Sequence, residues 1–339
     1  MNQLYLKKNI ISFEIEATTY CNAFCGDCDR NINGGERAPI FDLNHMSDTV
    51  VDNLFTQENL KYIRRLHFDG NLGDASMHPF LLQMLEKINN NKSDLIVTMS
   101  TNGGARSTEF WKNLAITLKK FKYHRVAFAI DGLEDTNHIY RRGVIWSRLI
   151  QNLQEFNTAG GHSQWKSIIF DYNKHQILSM IKIAHEIGCG SFVTNRNRCT
   201  GKIISCQSYK KFPKAKITSP SFEEFKEKYN IKLKFNKHRY TLIPELSFDG
   251  DYSCPFGQEG KVTIDIFGNI WPCCFFYSNS FKTWNKPILN KFYTDNINIL
   301  KNNYTDILDF IRTDLYSAWK QETYSLCKNC LHKKIPPLT

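Results

Sequence analysis

Residues 10–28 read IISFEIEATTYCNAFCGDC, a β-rich run that opens directly onto three cysteines, Cys21, Cys25 and Cys28. Its first part, IISFEIEAT (10–18), reads as the first strand. Downstream, five further β-rich runs follow: RRLHFDG (64–70), DLIVTMST (94–101), HRVAFAID (124–131), KSIIFDY (166–172) and GSFVTN (190–195). Helical patterns lie between them, at 47–55 with Ser47 as cap, 79–89, 109–120, and 145–158 closed by Gly160 and Gly161. Alternating strands and helices of this kind predict linked βα units in an α/β fold, with a parallel sheet curled into a partial (β/α)6 TIM-like barrel over residues 1–195.

In such a barrel the loops leaving the C-terminal strand ends build the active site. Polar motifs stand at those ends: CNAFCGDC after the first strand, NLGDASMHP after the second, NGG after the third, DGLEDTNHIYRR after the fourth and RNR after the sixth. His78, Asp131, Tyr140 and Arg196 lie among them as candidate acid, base or relay groups, and each reads equally as a cofactor contact or a structural polar group.

After residue 196 the alternation stops. Residues 196–250 read as a basic connector with one helix at 222–229, and residues 251–339 as a small α+β domain. In that domain KVTIDI (261–266) and NIWPCCFF (269–276) form a hairpin about Gly268. A helix at 305–319 and Cys327-Lys-Asn-Cys330 follow.

The 339 residues are 42% hydrophobic, enough for a sizeable core. No apolar segment follows the N-terminal lysines, and no run reaches the roughly 18 apolar residues of a membrane span. A soluble, unprocessed, cytoplasmic protein without a membrane partner is expected. Eight of the eleven cysteines fall in groups, at Cys21, Cys25 and Cys28, at Cys254, at Cys273 and Cys274, and at Cys327 and Cys330. Clustered thiols in a chain of this kind point to metal ligation; Cys189, Cys199 and Cys206 read as ordinary free thiols. The formal charge is +11, and between Arg196 and Arg239 thirteen Lys or Arg face three acidic residues, Glu223, Glu224 and Glu227. Such a block steers a phosphate-bearing or acidic partner, or is a solvated surface.

Three thiolates on one short loop suit a small inorganic cluster. A [4Fe–4S] cluster takes four cysteine ligands, so three leave one iron open. A zinc site is the rival, and it lacks a good fourth ligand nearby. The spacing Cys21-x3-Cys25-x2-Cys28 after a first strand, in a βα-repeat chain, resembles the signature of the radical S-adenosylmethionine (SAM) superfamily. The resemblance implies a SAM-binding [4Fe–4S] cluster on these three cysteines and reductive cleavage of SAM to methionine and a 5′-deoxyadenosyl radical, which abstracts hydrogen from a substrate. It also implies an electron donor such as flavodoxin or ferredoxin.

The likeness extends along the barrel. Gly73-Asp74-Ala75-Ser76-Met77-His78-Pro79 stands where the family has Gly-Glu-Pro-x-x-His-Pro, which receives the SAM amino group. Ser100-Thr101-Asn102-Gly103 resembles the Thr-Asn-Gly segment after strand three. Asp131-Gly132, with His138 and Tyr140-Arg141, resembles the strand-four pattern whose arginine pairs with the SAM carboxylate. Gly73, Asp74, Ser100, Asn102, Asp131 and Arg141 are thereby the expected cofactor contacts. Asp27 departs from the family's aromatic residue before the third cysteine, Asp74 from its glutamate and Ala75 from its proline.

The later cysteines resemble the SPASM auxiliary-cluster domain in its shortened, twitch form, which implies a second [4Fe–4S] cluster on Cys254, Cys273, Cys327 and Cys330. Cys273 and Cys274 face opposite sides of a strand, so one of them is a ligand. Four thiolates also suit zinc. A saturated second cluster fits electron transfer, and so oxidative modification of a peptide or polar small molecule. A nucleotide or nucleic-acid substrate is the alternative the basic block raises, with Tyr209, Phe212 and Phe225 as stacking groups, and a non-catalytic electron carrier is the third.

Overall fold

The computed structural model describes residues 10–31, 37–38, 42–196, 204–205, 216–235, 260–274, 277, 295–311 and 313. The barrel half follows the expected alternation: β1 (Ser12–Ile15), α1 (Asp48–Leu54), α2 (Gln57–Leu60), β2 (Arg65–Phe68), α3 (Leu81–Asn91), β3 (Ile96–Thr101), α4 (Thr108–Leu118) and β4 (Tyr123–Ala129). Next come α5 (Asn137–Tyr140), α6 (Trp146–Thr158), β5 (Ser163–Ile169), α7 (Ile177–Glu186) and β6 (Ser191–Arg196). The remaining elements are β7 (Ile204–Ser205), β8 (Lys216–Ile217), α8 (Phe222–Glu224), β9 (Lys232–Lys234), β10 (Lys261–Ile264), β11 (Ile270–Trp271) and α9 (Tyr304–Phe310).

Nine strands form one sheet in the order β11-β10-β1-β2-β3-β4-β5-β6-β9. From β10 to β6 all neighbours are parallel, while β11 and β9 close the two edges antiparallel. Side-chain alternation splits each strand between two environments. Phe13, Ile15, Leu66, Phe68, Val97, Met99, Val126 and Phe128 are buried in one core with the apolar faces of the helices. The opposite, inner face carries Glu14, Glu16, His67, Asp69, Thr98 and Ser100, and its polar groups pair across strands, as in His67 Nδ1 to Thr98 Oγ1 at 2.8 Å and Lys261 Nζ to Glu14 at 3.1 Å.

Two of the barrel helices start at serine caps. Ser47 accepts from the Val50 amide at 3.3 Å and Ser107 from the Phe110 amide at 3.4 Å, as N-cap hydroxyls do. α6 ends at Gly160, whose φ of +86° continues no helix.

Three elements differ from the sequence reading. The fifth strand begins three residues early and stops at Ile169, because Asn173 captures the next turn: its Oδ1 accepts from the Phe170 amide at 2.8 Å. The connector contributes β9, which pairs with β6, and its helix at 222–229 continues past Glu224 as a π-helix over Phe225–Tyr229. The C-terminal hairpin does not form a sheet of its own. β10 lies parallel to β1, with Val262 and Ile264 opposite Phe13 and Ile15, so the apolar edge of β1 is covered from a segment some 250 positions away in sequence. Asp265 shapes the turn, accepting from the Phe267 and Asn269 amides at 2.9 and 3.0 Å, and Gly268 takes φ +79°. Within the expected 305–319 helix, α9 is described as far as Phe310. Among the described residues no helix is long and apolar enough to cross a membrane.

At the other end of the sheet, away from the polar loops, His124 is buried and stacks on His162 at 4.5 Å. Its Nε2 accepts the His162 amide at 3.1 Å, which requires a neutral ring. Burial, then the neighbouring His162, pushes its pKa down to about 3. The folded state therefore refuses a proton that the unfolded chain binds below about 6.5, so this stability is full above that pH and is lost as pH falls. Urea unfolding of the parent chain at pH 5 against pH 7 should lose about 2 kcal/mol more than the same comparison for His124→Gln. Equal losses would show that His124 stays uncharged in both states or is protonated in both.

Candidate active site

The cysteine loop leaves β1 at Ala17 and is folded by its own backbone. The Cys28 amide bonds the Cys25 carbonyl at 3.3 Å, the Asn31 amide the Cys28 carbonyl at 2.9 Å, and the Phe24 amide the Arg142 carbonyl at 2.8 Å. Arg30, buried, donates from Nε to the Thr19 carbonyl at 3.0 Å and so ties the far end of the loop to its start. The three thiols lie against the loops that follow β2, β3 and β4, with Cys28 Sγ 3.9 Å from the Asn71 carbonyl oxygen. Cys21 Sγ receives the Ala23 amide at 3.4 Å and Asn102 Nδ2 at 3.6 Å; Cys25 Sγ receives Arg141 Nη1 at 3.4 Å.

Burial pushes all three thiols up, Cys28 to about 12, with Asp74 and Cys25 adding to the rise at Cys21. As free side chains they are protonated, and a metal's own charge is what turns such thiols into thiolate ligands. Among the described residues no three His, Cys, Asp or Glu side chains converge on a point as the ligands of one ion do. A cubic cluster takes each thiolate at a different iron, so three soft sulfur donors on one loop, two of them facing N–H groups, fit it.

Each expected cofactor residue has a definite place. Gly73 packs backbone to backbone against the segment before Cys21: a Cβ there would lie 1.9 Å from the Thr18 carbonyl oxygen. Its neighbour Asp74 is buried and its carboxylate is ringed by protein donors. Oδ1 accepts from the Ser76 amide and hydroxyl at 3.1 and 2.7 Å, Oδ2 from the Asn102 amide and Nδ2 at 2.8 Å each, and the Thr101 hydroxyl lies 3.0 Å from both. Asp74 is thus the clamp between the β2 and β3 loops. Asn102, held by it, also bonds Asn22 Oδ1 at 2.9 Å. Ser100 stands apart on the inner face, 3.4 Å from His67 Nε2.

Across the loop, Asp131 is completely buried. Its Oδ1 accepts the Ile168 amide and its Oδ2 the Arg141 Nε, both at 2.6 Å. Arg141 bridges that carboxylate to Cys25. Of the proposed acid–base groups, His78 is a strut, with Nε2 on the Met46 carbonyl at 2.9 Å and Nδ1 accepting the Phe80 amide at 3.2 Å. Tyr140 packs on Phe170 with centroids 4.9 Å apart, and the Arg196 guanidinium lies over Phe222 at 5.4 Å. Of the second cysteine set, Cys254, Cys327 and Cys330 lie outside the described residues. Cys274 lies close to the inner-face carboxylates: burial, then Glu14, pushes its thiol up.

No protein-family model and no curated protein matches the sequence. Solved structures do match. Streptococcus suis SuiB bound to S-adenosylmethionine superposes with TM-score 0.53 at 18% identity, over 83% of this chain and 67% of SuiB. anSMEcpe with bound AdoMet gives TM-score 0.57 at 14% identity, over 94% of this chain and 86% of that one. The fold is that of the radical SAM partial barrel.

Several site residues are absent from the sequence reading. Glu16, buried, accepts Asn71 Nδ2 at 2.7 Å and the Leu72 amide at 3.3 Å, fixing the loop that carries Gly73. Asp69 shares the same Asn71 amide at 2.7 Å. Burial, then the charge of Asp69, raises the Glu16 pKa. The signal was present in Ser12-Phe-Glu-Ile-Glu16, where two carboxylates alternate with buried apolar residues on one strand. Tyr172 carries a buried hydroxyl that meets no hydrogen-bond partner among the described residues, and its ring stacks on Phe170 at 5.1 Å.

Replacing Asp131 by alanine would leave the Arg141 guanidinium buried opposite no carboxylate. Removing one partner of a buried pair costs about 3–5 kcal/mol. Denaturant unfolding should show a loss of that order for Asp131→Ala, and a much smaller one for Asp131→Ala combined with Arg141→Met. Equal losses in the two variants would mean that the pair is not coupled.

Proposed function

We propose that this chain is a radical SAM enzyme, with Cys21, Cys25 and Cys28 as ligands of its SAM-binding [4Fe–4S] cluster. The observation that carries the reading is the convergence of Asn102, just after β3, and Arg141, at the end of α5, on the sulfurs of the cysteine loop. A [4Fe–4S] cluster held by these three cysteines would supply, once reduced, the electron for reductive cleavage of SAM to methionine and a 5′-deoxyadenosyl radical. The chain's own residues do the positioning. Gly73 keeps the β2 loop against the cysteine loop, Asp74 locks that loop to Asn102, and Asp131 aims Arg141. Ser100 offers a hydroxyl on the inner face, where a substrate would lie.

For the second half of the chain, the reading is an auxiliary [4Fe–4S] cluster on Cys254, Cys273, Cys327 and Cys330 that carries an electron away during oxidation of a peptide or polar small molecule. Cys273 is taken as the ligand of the adjacent pair, and Cys274 lies beside the inner-face carboxylates. A peptide substrate gains support from the neighbours, since SuiB has been solved with the precursor peptide SuiA and anSMEcpe with the Cp18Cys peptide. A flavodoxin- or ferredoxin-type protein would supply the electrons.

Anaerobically reconstituted protein, reduced in the presence of SAM, should release 5′-deoxyadenosine detectable by mass spectrometry, and Cys25→Ala should abolish it. Release that persists in Cys25→Ala would sink the assignment. The pair Cys327→Ala and Cys330→Ala should about halve the bound iron, since one of two equal clusters is lost; unchanged iron, or zinc in its place, would remove the auxiliary cluster.

A further inference from the structure

Two chains of contacts end on the cysteine sulfurs, and both begin at a buried carboxylate. In one, Asp131 Oδ2 accepts Arg141 Nε at 2.6 Å and Arg141 Nη1 reaches Cys25 Sγ at 3.4 Å. In the other, Asp74 Oδ2 accepts Asn102 Nδ2 at 2.8 Å and the same Nδ2 lies 3.6 Å from Cys21 Sγ. Neither donor is free to turn away. Arg141 has two of its three nitrogens committed, and Asn102 is further fixed by Asn22 and by the Gly104 amide on its Oδ1 at 2.8 Å.

Resting on the radical SAM reading, we infer that Arg141, held by Asp131, and Asn102, held by Asp74, are outer-shell hydrogen-bond donors to the cluster ligands Cys25 and Cys21, and that they set the cluster's reduction potential before SAM arrives. The physical ground is charge. One-electron reduction by the external donor adds a negative charge that is spread over the cluster and its thiolate sulfurs. An N–H group aimed at such a sulfur stabilises the reduced form more than the oxidised one, and it does so most strongly in a site with little water. Outer-shell carboxylates that orient a group next to a metal tune the metal in the same way.

The two chains are unequal. Arg141 brings a full positive charge at the shorter distance, and without it the Asp131 carboxylate would remain beside Cys25 uncompensated. Asn102 brings only a dipole. Arg141 and Asn102 act here through the sulfurs, as positioning residues, whatever contact Arg141 also makes with the SAM carboxylate.

The test is an EPR-monitored redox titration without SAM, in protein carrying Cys327→Ala and Cys330→Ala so that one cluster remains. Should that background not accumulate, the otherwise native chain serves, and only the step that later responds to SAM is followed. Arg141→Gln should move the midpoint to more negative potential and Asn102→Ala should move it the same way by less. Arg141→Lys, which keeps the charge, should stay between the parent and Arg141→Gln. If Arg141→Gln does not fold, the balanced pair Asp131→Asn with Arg141→Gln takes its place and should also shift negative. Midpoints equal to the parent's in these variants, with only SAM affinity reduced, would overturn the inference. A parent protein whose EPR signal ignores SAM would instead overturn the radical SAM reading, before any variant is compared.

Discussion

A buried carboxylate must find a donor for every lone pair it takes out of water, and two such groups organise the polar end of this sheet. Asp74 gathers Ser76, Thr101 and Asn102, and Asp131 gathers Ile168 and Arg141. Each therefore pins the ends of strands that share no local sequence. Leaving either set of donors unsatisfied costs more than the hydrogen bonds are worth individually. That asymmetry makes the loops around the cysteines a single unit, in which Asn102 and Arg141 are held facing sulfur. The close approach of Gly73 to the Thr18 carbonyl belongs to the same unit, because a side chain there would push the β2 loop off the cysteine loop.

Much of this was legible in the sequence. β-rich runs located five of the barrel strands, and the Ser47 cap located the start of the first helix, because both signals are local. The fifth strand slipped because Phe170 to Asn173 carry strand-like residues but close a turn through the Asn173 side chain. The hairpin at 261–271 was visible as a hairpin, yet its partner was not: parallel pairing with β1 depends on matching Val262 and Ile264 with Phe13 and Ile15, a match that no local pattern records.

For the site, the cysteine spacing and the strand-end motifs pointed to loops that the structure brings together around the cysteines, while the contacts made by individual residues needed coordinates. Asp74 reads from sequence as a cofactor contact, and in the structure its carboxylate is occupied with protein donors. Arg141 reads as a carboxylate partner and is found between Asp131 and Cys25. Glu16 passed as part of a strand because a carboxylate in an alternating run usually faces water; here the inner face of the sheet is polar, and Glu16 is the post on which the Asn71 and Leu72 amides hang.

The whole scheme turns on three sulfurs holding an iron cluster with one iron left for SAM. Mössbauer spectroscopy of the anaerobically reconstituted protein addresses that directly. Addition of SAM alone, with no reductant, should change the isomer shift of one iron of the first cluster and leave its other irons as they were. Spectra that superimpose with and without SAM, or a first site that takes zinc in preference to iron, would contradict it.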